Sequence, residues 1–459
     1  MKYDKYLLTA LMLAGIARLT FFFSWHEIWW DAGVYIGMGK HLFSLGSAGL
    51  WEHIRPPLLP SILGFFWWIG LDPVLFGRIL ELGLTLGIVY FVYSLGKDWN
   101  KHAAFIAAIL TGFSPILFYL SFHTYTEIPA VFFVLLGIWL HKQNKPLFCG
   151  LAIGLAFLTK FPAGIFLIPL LIMGKNRARL FTLLGFSIVS APYFLANMIL
   201  YSNPIAPLLA ARDAISRAVG CNVLRYHEWH YYFTTLVASE NILNVFAIAG
   251  AWLGIRHTTK TNHTRKHTLL ITLCAAIPLL YFLQLHCRDY RYLALFYPFI
   301  ALLAGYGIAT LMKDTPKQTI AIVLVGITVL SMTYGISFTL GNERSQPGPA
   351  EDYYKQVQDL HGTIWISNPI TAAYTDAPLN KIYYPIYDQG VSITFFEHIK
   401  KNRPNNIMLD NCGGGIICAP DEEACTAATH ELLVWLDSNY NLTYEQHAGR
   451  CWYRIYIAS

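Results

Sequence analysis

The chain has 459 residues, of which 55% are hydrophobic, 15% aromatic and only 13% charged, about half the charged share of a soluble domain. With a mean hydropathy of +0.43, a soluble fold of this composition would leave much of its apolar surface in water. The net charge of +6 is dispersed in short pieces between apolar runs, which argues against a nucleic-acid partner and reads as a membrane-topology signal.

Lys2 and Lys5 precede an apolar stretch from Tyr6 to Trp25. It is too long for a cleaved signal peptide and no small-x-small site follows, so it reads as a retained first span. Apolar runs recur to Leu340, and a spanning helix needs about 20 such residues. The expected spans are 6–25, 74–95, 103–122, 127–140, 147–160, 162–174, 180–200, 240–255, 268–286, 293–312 and 319–340, about eleven in all. With a cytoplasmic N-terminus, the loops on that side carry Lys97 and Lys101, Lys142 and Lys145, Lys175 with Arg177 and Arg179, Arg256 through Lys266, and Lys313 with Lys317. Every one is basic, as the positive-inside rule requires. Pro56 to Leu71 is too short to span and counting it would invert that parity, so it reads as a re-entrant or interfacial segment in a long first outer loop, 26–73. A second long outer loop covers 201–240. After Gly341, Pro, Asp, Lys and Asn return among short β-like runs, which predicts a membrane domain, 1–340, and a soluble extracytoplasmic domain, 341–459.

This topology collects unusual polar residues on the outer side: Asp31, Glu52, His53 and Arg55, then His123 and Glu127, Lys160, and Arg288, Asp289 and Arg291. Bases on the side where bases are disfavoured call for a local partner, and an anionic ligand at the membrane surface is the simplest. Val34, Met38, Leu42 and Leu45 recur at helical spacing with Lys40, His41 and Ser44 facing elsewhere, which predicts an amphipathic helix along the interface, beginning at Asp31 and anchored by Trp29 and Trp30. Asp31 is then a helix N-cap or a carboxylate able to take a proton from an attacking hydroxyl. Glu127 stands in the first turn of a span behind Thr126, where the helix dipole favours it, or it serves catalysis or acceptor orientation. Lys160 either snorkels to the interface or binds phosphate, and Arg291 either pairs with Asp289 or does the same. Arg212, Arg217, Arg225 and Glu228 share the second outer loop with Tyr226, Trp229, Tyr231 and Tyr232, aromatics that suit a surface anchor.

Asp31-Ala-Gly-Val-Tyr35, Arg55-Pro-Pro-Leu-Leu-Pro60, Ser114-Pro115 followed by Glu127-Ile-Pro129, and Arg291-Tyr292 with Tyr297-Pro298 lie in this order along the chain. In these pieces the sequence resembles the GT-C-type membrane glycosyltransferases, and within them the dolichyl-phosphate-mannose protein mannosyltransferase and aminoarabinose transferase relatives. The resemblance implies a GT-C-like polytopic α-helical fold. It implies a transferase that moves a sugar from a polyprenyl-phosphate donor such as dolichyl phosphate to a protein, lipid or glycan acceptor on the non-cytoplasmic face. An acidic residue in the first outer loop is the family's catalytic base, which falls on Asp31; many relatives have a second acid beside it, where this chain has Ala32. Glu127 resembles the second acidic loop. Arg55, Lys160, Arg288 and Arg291 suit the donor phosphate, since guanidinium forks match phosphate oxygens. His53 and His123 are candidates for acceptor contact or for a divalent metal shared with Asp31 or Glu127, although no strong metal-ligand spacing is present and no metal ligand is assigned. The donor sugar is preactivated, and no Gly-rich nucleotide loop is seen. The rival reading is a multispan transporter or lipid flippase; the lack of an internal repeat and the placement of charges at outer span ends favour the transferase.

The C-terminal domain predicts a small α/β layer fold, with strands at Ile364-Trp-Ile366, 406–409 and 452–457 and helices at 391–401 and 427–437. Cys412, Cys418, Cys425 and Cys451 are expected to form disulfides, with three connectivities open and a zinc site the lesser alternative. Cys149, Cys221, Cys274 and Cys287 are scattered and expected unpaired. Asn441-Leu442-Thr443 is a possible glycan acceptor. This domain is expected to cover the active-site face and influence acceptor choice, with no catalytic residue of its own.

Overall fold

The computed structural model describes residues 4–458 apart from 25, 218–225, 257–261, 286, 312–322, 324–325, 329, 334, 336–347, 382–390, 413–415, 417 and 419–422. In chain order the helices of the first 205 residues are α1 (Lys5–Phe22), α2 (Trp30–Phe43), α3 (Leu58–Trp68), α4 (Pro73–Gly96), α5 (Lys101–Gly112), α6 (Pro115–Leu120), α7 (Glu127–Lys142), α8 (Pro146–Thr159), α9 (Leu167–Met173) and α10 (Asn176–Tyr201). Contacts group the chain into two units, one from 1–24, 78–205 and 227–343, the other from 25–77, 206–226 and 344–459. Compactness thus joins the first outer loop to the C-terminal residues, a grouping that composition along the chain does not reveal.

The first unit is helical and membrane-spanning. Among the described residues α1, α4, α10 and His263–Gln284 are long and apolar enough to cross a bilayer, and shorter apolar helices include α5, α8, Ile242–Arg256 and Tyr297–Leu311. The expected span 319–340 lies largely outside the described residues. The expected span 103–122 is two helices, α5 and α6, parted at Ser114-Pro115. Ser114 caps α6 by accepting from the Leu117 amide at 3.3 Å, and Pro115 occupies a first-turn position where a missing N–H costs nothing. Small residues set the packing, as lipid-embedded helices require. A side chain at Gly150 of α8 would meet Thr182 O of α10 at 2.0 Å, and one at Gly185 of α10 would meet Leu147 O at 2.1 Å. Arg18, fully buried in α1, donates to Gly112 O at 2.6 Å and Ser121 Oγ at 3.2 Å, and lies over the Phe118 ring at 5.1 Å. It satisfies the carbonyl end of α5 at the break.

The second unit contains a five-stranded sheet of order β2-β1-β3-β5-β4, with β1 (Ile364–Ile366) parallel to β2 (Leu379–Lys381) and β3 (Asn406–Asp410), and β5 (Cys451–Ala458) antiparallel to β3 and β4 (Tyr440–Ala448). Every residue of β3 is buried because both faces are covered. On one face Ile407, Leu409 and Tyr456 pack with Phe396, Ile399, Leu432 and Leu436 of helices Val391–Asn402 and Glu423–Asn439. On the other, Ile364, Ile366, Met408 and Tyr453 pack with Trp30, Val34 and Met38 of α2.

Three expectations are corrected here. Helix α2 is no surface helix: Trp30 and Ala32 through Lys40 are buried between the sheet and α3. Its buried lysine finds partners within the fold, since Lys40 Nζ donates to Thr375 O at 2.9 Å and pairs with the exposed Asp376 at 2.9 Å. Amphipathic spacing reports which residues are polar, not whether folding supplies them with partners. The helix also begins at Trp30, with Trp29 in the N-cap position, so Asp31 is not the cap. Among the cysteines, Cys412 bonds Cys451 and Cys418 bonds Cys425. Cys287 is disulfide-bonded rather than unpaired, Cys149 and Cys274 are free and buried, and Cys221 lies outside the described residues. Linear spacing carries no information on such pairing.

Candidate active site

In the first unit, α8 ends at Thr159 and Lys160 adopts an extended C-cap conformation. This turns the lysine off the helix axis and toward the start of α7, where its ammonium donates to Glu127 Oε1 at 3.0 Å. The two side chains are 14% and 1% exposed, so the pair is held inside the protein. Asp289 caps the 3-10 turn Tyr290–Leu295 by accepting from the Arg291 amide at 2.9 Å, and it also takes the Arg291 guanidinium at 3.1 and 3.2 Å. Burial works to raise the Asp289 carboxyl, but Arg291 outweighs it and Lys160 adds to the effect, so the group is held below the usual carboxylate range. Lys160 lies over the Tyr292 ring at 5.1 Å and Arg291 over Tyr125 at 5.0 Å. The result is two cations, each fixed by a carboxylate and each against an aromatic face.

Other candidates of this unit stand apart from that arrangement or support it. His123 is held by Tyr119 O at 2.9 Å and packs against the Tyr119 ring at 4.4 Å. Arg288 donates to His227 O at 2.7 Å and Leu283 O at 2.9 Å, so its guanidinium fastens backbone carbonyls. Tyr232 is buried, its hydroxyl donating to Asp289 O at 3.2 Å, while Trp229 is exposed, as is Tyr226, which falls in the second unit. Arg225 lies outside the described residues.

In the second unit, Arg55 Nη2 pairs with Asp31 Oδ1 at 2.9 Å and Arg55 Nε donates to Glu52 Oε1 at 3.2 Å. Lys381, the last residue of β2, donates to Glu52 Oε2 at 2.6 Å. Burial pushes the Glu52 carboxyl up, but the charges of Lys381 and Arg55 outweigh it and hold the group below its ordinary value, hence ionised. Tyr35 and Trp30 of α2 offer ring faces to Arg55 and Lys381 at 5.8 and 5.1 Å. His53 sits in the turn between Glu52 and Arg55. Among the described residues no three His, Cys, Asp or Glu side chains gather as a metal site.

Sequence reasoning missed three charged residues. Lys381 looked like one more lysine of a soluble domain. Arg18 and Glu81 are fully buried within α1 and α4, and Glu81 lies close enough to Glu127 to feel its charge. The signal for these two was available, since an ionisable residue inside an apolar run is costly and needs a reason.

Comparison with known proteins agrees with this architecture. The family model described as dolichyl-phosphate-mannose-protein mannosyltransferase matches residues 54–173, the stretch that carries Glu127 and Lys160. ArnT from Cupriavidus metallidurans, solved bound to undecaprenyl phosphate, superposes with a TM-score of 0.65 at 12% identity over 98% of this chain and 97% of its own. The Archaeoglobus fulgidus oligosaccharyltransferase superposes with a TM-score of 0.58 at 12% identity over 99% of this chain and 74% of its own. The arabinofuranosyltransferase AftD from Mycobacteria gives 0.57 at 12% identity over 100% of this chain and 40% of its own. No curated protein matches in sequence. The chain has the GT-C-type membrane glycosyltransferase fold.

Proposed function

We propose that this protein is a membrane glycosyltransferase that moves a sugar from a polyprenyl-phosphate carrier to an acceptor on the non-cytoplasmic membrane face. The observation that carries the reading is the arrangement of Lys160 on Glu127 and Arg291 on Asp289, each against a tyrosine ring, in a fold shared with a protein solved bound to undecaprenyl phosphate. A lone lysine or arginine at that depth is costly, whereas a carboxylate-held pair of cations is a prepared seat for phosphate oxygens.

The bond from the anomeric carbon to the carrier phosphate breaks as the acceptor oxygen bonds to that carbon, and the acceptor proton passes to Asp31. Arg55, 2.9 Å from Asp31, holds that carboxylate in place between turnovers. Lys160 and Arg291 take up the charge that accumulates on the departing phosphate, and Glu127 holds the lysine in place. Arg288 holds the loop that carries Arg291. The topology that goes with this reading has about eleven spans, a cytoplasmic N-terminus and an extracytoplasmic C-terminal domain.

Purified protein in lipid nanodiscs, given a panel of radiolabelled polyprenyl-phosphate sugars and membrane-extract acceptors, is expected to release label from the lipid. Asp31→Asn lowers that turnover by about 100-fold or more with folding intact, and Lys160→Gln weakens use of the donor. Lipid donors that cross a vesicle bilayer without being consumed would replace this reading with transport.

A further inference from the structure

Asp31, Arg55, Glu52 and Lys381 form a row of alternating charge, and Arg55 stands between two carboxylates, at 2.9 Å from Asp31 and 3.2 Å from Glu52. Glu52 is the more buried of the two, with a side chain 5% exposed against 14% for Asp31. Left to itself, the buried carboxylate would compete for the shared guanidinium, because an unpaired buried charge is the costlier one. Lys381 meets Glu52 on its other oxygen at 2.6 Å and removes that competition. We infer that Lys381 is a positioning residue for Asp31: by neutralising Glu52 it leaves Arg55 on the catalytic carboxylate.

The backbone fixes this lysine in place. Lys381 pairs with Ile366 in the β1–β2 ladder, and β2 is tied to the first outer loop through Gly49, whose amide donates to Ala377 O at 3.0 Å and whose carbonyl accepts from the Leu379 amide at 2.7 Å. The strand therefore cannot slide away from the turn that carries Glu52 and Arg55. Two of the elements packed on α2 carry no charged side chain: α3 reads LLPSILGFFWW and the 3-10 turn Pro369–Ala373 reads PITAA. On α2 itself Lys40 is spent on Asp376, and His41 follows it in the last turn, away from Asp31. Within this unit Arg55 pairs with Asp31, and the Glu52–Lys381 pair stands behind that arginine. A residue of the C-terminal sheet, where no functional side chain was expected, belongs to the site.

The inference rests on the reading of Asp31 as the base, and the pH dependence of donor turnover tests the two separately. Lys381→Met lets Glu52 draw Arg55 away, so the acid limb of the kcat/KM profile moves up by about one pH unit and kcat falls. Lys381→Arg retains the wild-type limb. The double variant Lys381→Met/Glu52→Gln, which removes the pair together, returns the limb toward its wild-type position. Glu52→Gln alone moves it the opposite way, to lower pH, and this variant serves if Lys381→Met does not fold. A Lys381 that only stabilises the unit would lower the melting temperature and leave the limb unmoved in all of these variants, which overturns the inference. If Asp31→Asn is inactive and the limb does not move, the base reading stands and this one falls. If Asp31→Asn keeps wild-type turnover, both fall.

Discussion

Asp410 ends β3 in full burial, accepting from Ser367 Oγ at 2.6 Å and Asn368 Nδ2 at 3.2 Å. Burial raises its carboxyl from 3.8 to about 7, and the hydrogen bonds offset only part of that. The folded chain therefore holds this proton to higher pH than the unfolded chain. The stability it contributes is fully present below about pH 4 and is lost as pH rises through about 7. Melting temperatures of wild type and Asp410→Asn, measured from about pH 4 to about pH 8, are expected to show a stability loss with rising pH that the variant lacks. A rise in wild-type stability relative to the variant over that range would contradict the assignment. The same competition between burial and partners governs Glu52 and Asp289, where neighbouring cations win and the carboxylates stay charged. Asp31, Glu127, Lys160 and Arg291 were legible as candidates because charge is rare in this chain and stands out. The partners of Asp31 and Lys160 were not legible, since Arg55–Asp31 and Lys160–Glu127 join positions 24 and 33 residues apart in different elements, whereas the pair of Arg291 with Asp289 was one of the two readings open for that arginine.

Element by element, the long apolar helices α1, α4 and α10 followed the hydropathy, but what each one packs against did not. Helix α2 shows why. Its pattern suited an interface, yet Gly33 lies so close to the turn at Pro369–Ala373 that a side chain there would meet Pro369 O at 2.5 Å and the Ile370 Cα at 2.7 Å. Backbone atoms cannot yield as a flexible side chain can, so Gly33→Ala is expected to cost about 1–3 kcal/mol and to reduce turnover by shifting the helix that carries Asp31. Gly83→Ala in α4 is the contrasting case: nothing lies within 4 Å of an added methyl group, and alanine favours a helix by about 1 kcal/mol. Thermal unfolding of the two variants should therefore move in opposite directions. Equal destabilisation by both would remove close backbone contact as the reason for Gly33.

For the molecule as a whole, the disulfides differ in how much chain they close. Cys412–Cys451 spans 39 residues and joins the segment after β3 to the start of β5, whereas Cys418–Cys425 spans 7. Loop-closure entropy assigns about 4 kcal/mol to the first and about 2.5 kcal/mol to the second. Replacing Cys412 and Cys451 by serine is expected to lower the melting temperature of the protein more than replacing Cys418 and Cys425. The reverse order in differential scanning fluorimetry would show that the short loop constrains something beyond its own length.

Composition and hydropathy by themselves determined that this is a multi-pass membrane protein with a different, β-containing texture after residue 341, because transfer of apolar surface from water is additive along the chain and can be summed without coordinates. The motif pieces pointed to the GT-C-type fold by resemblance. Tertiary structure alone decided that α2 is one layer of the C-terminal sandwich, that Asp31 is paired and does not cap, and that Lys381 stands behind it. Those facts depend on which distant residues meet, and charge pairing acts only over a few ångströms, a distance that position in the sequence does not record.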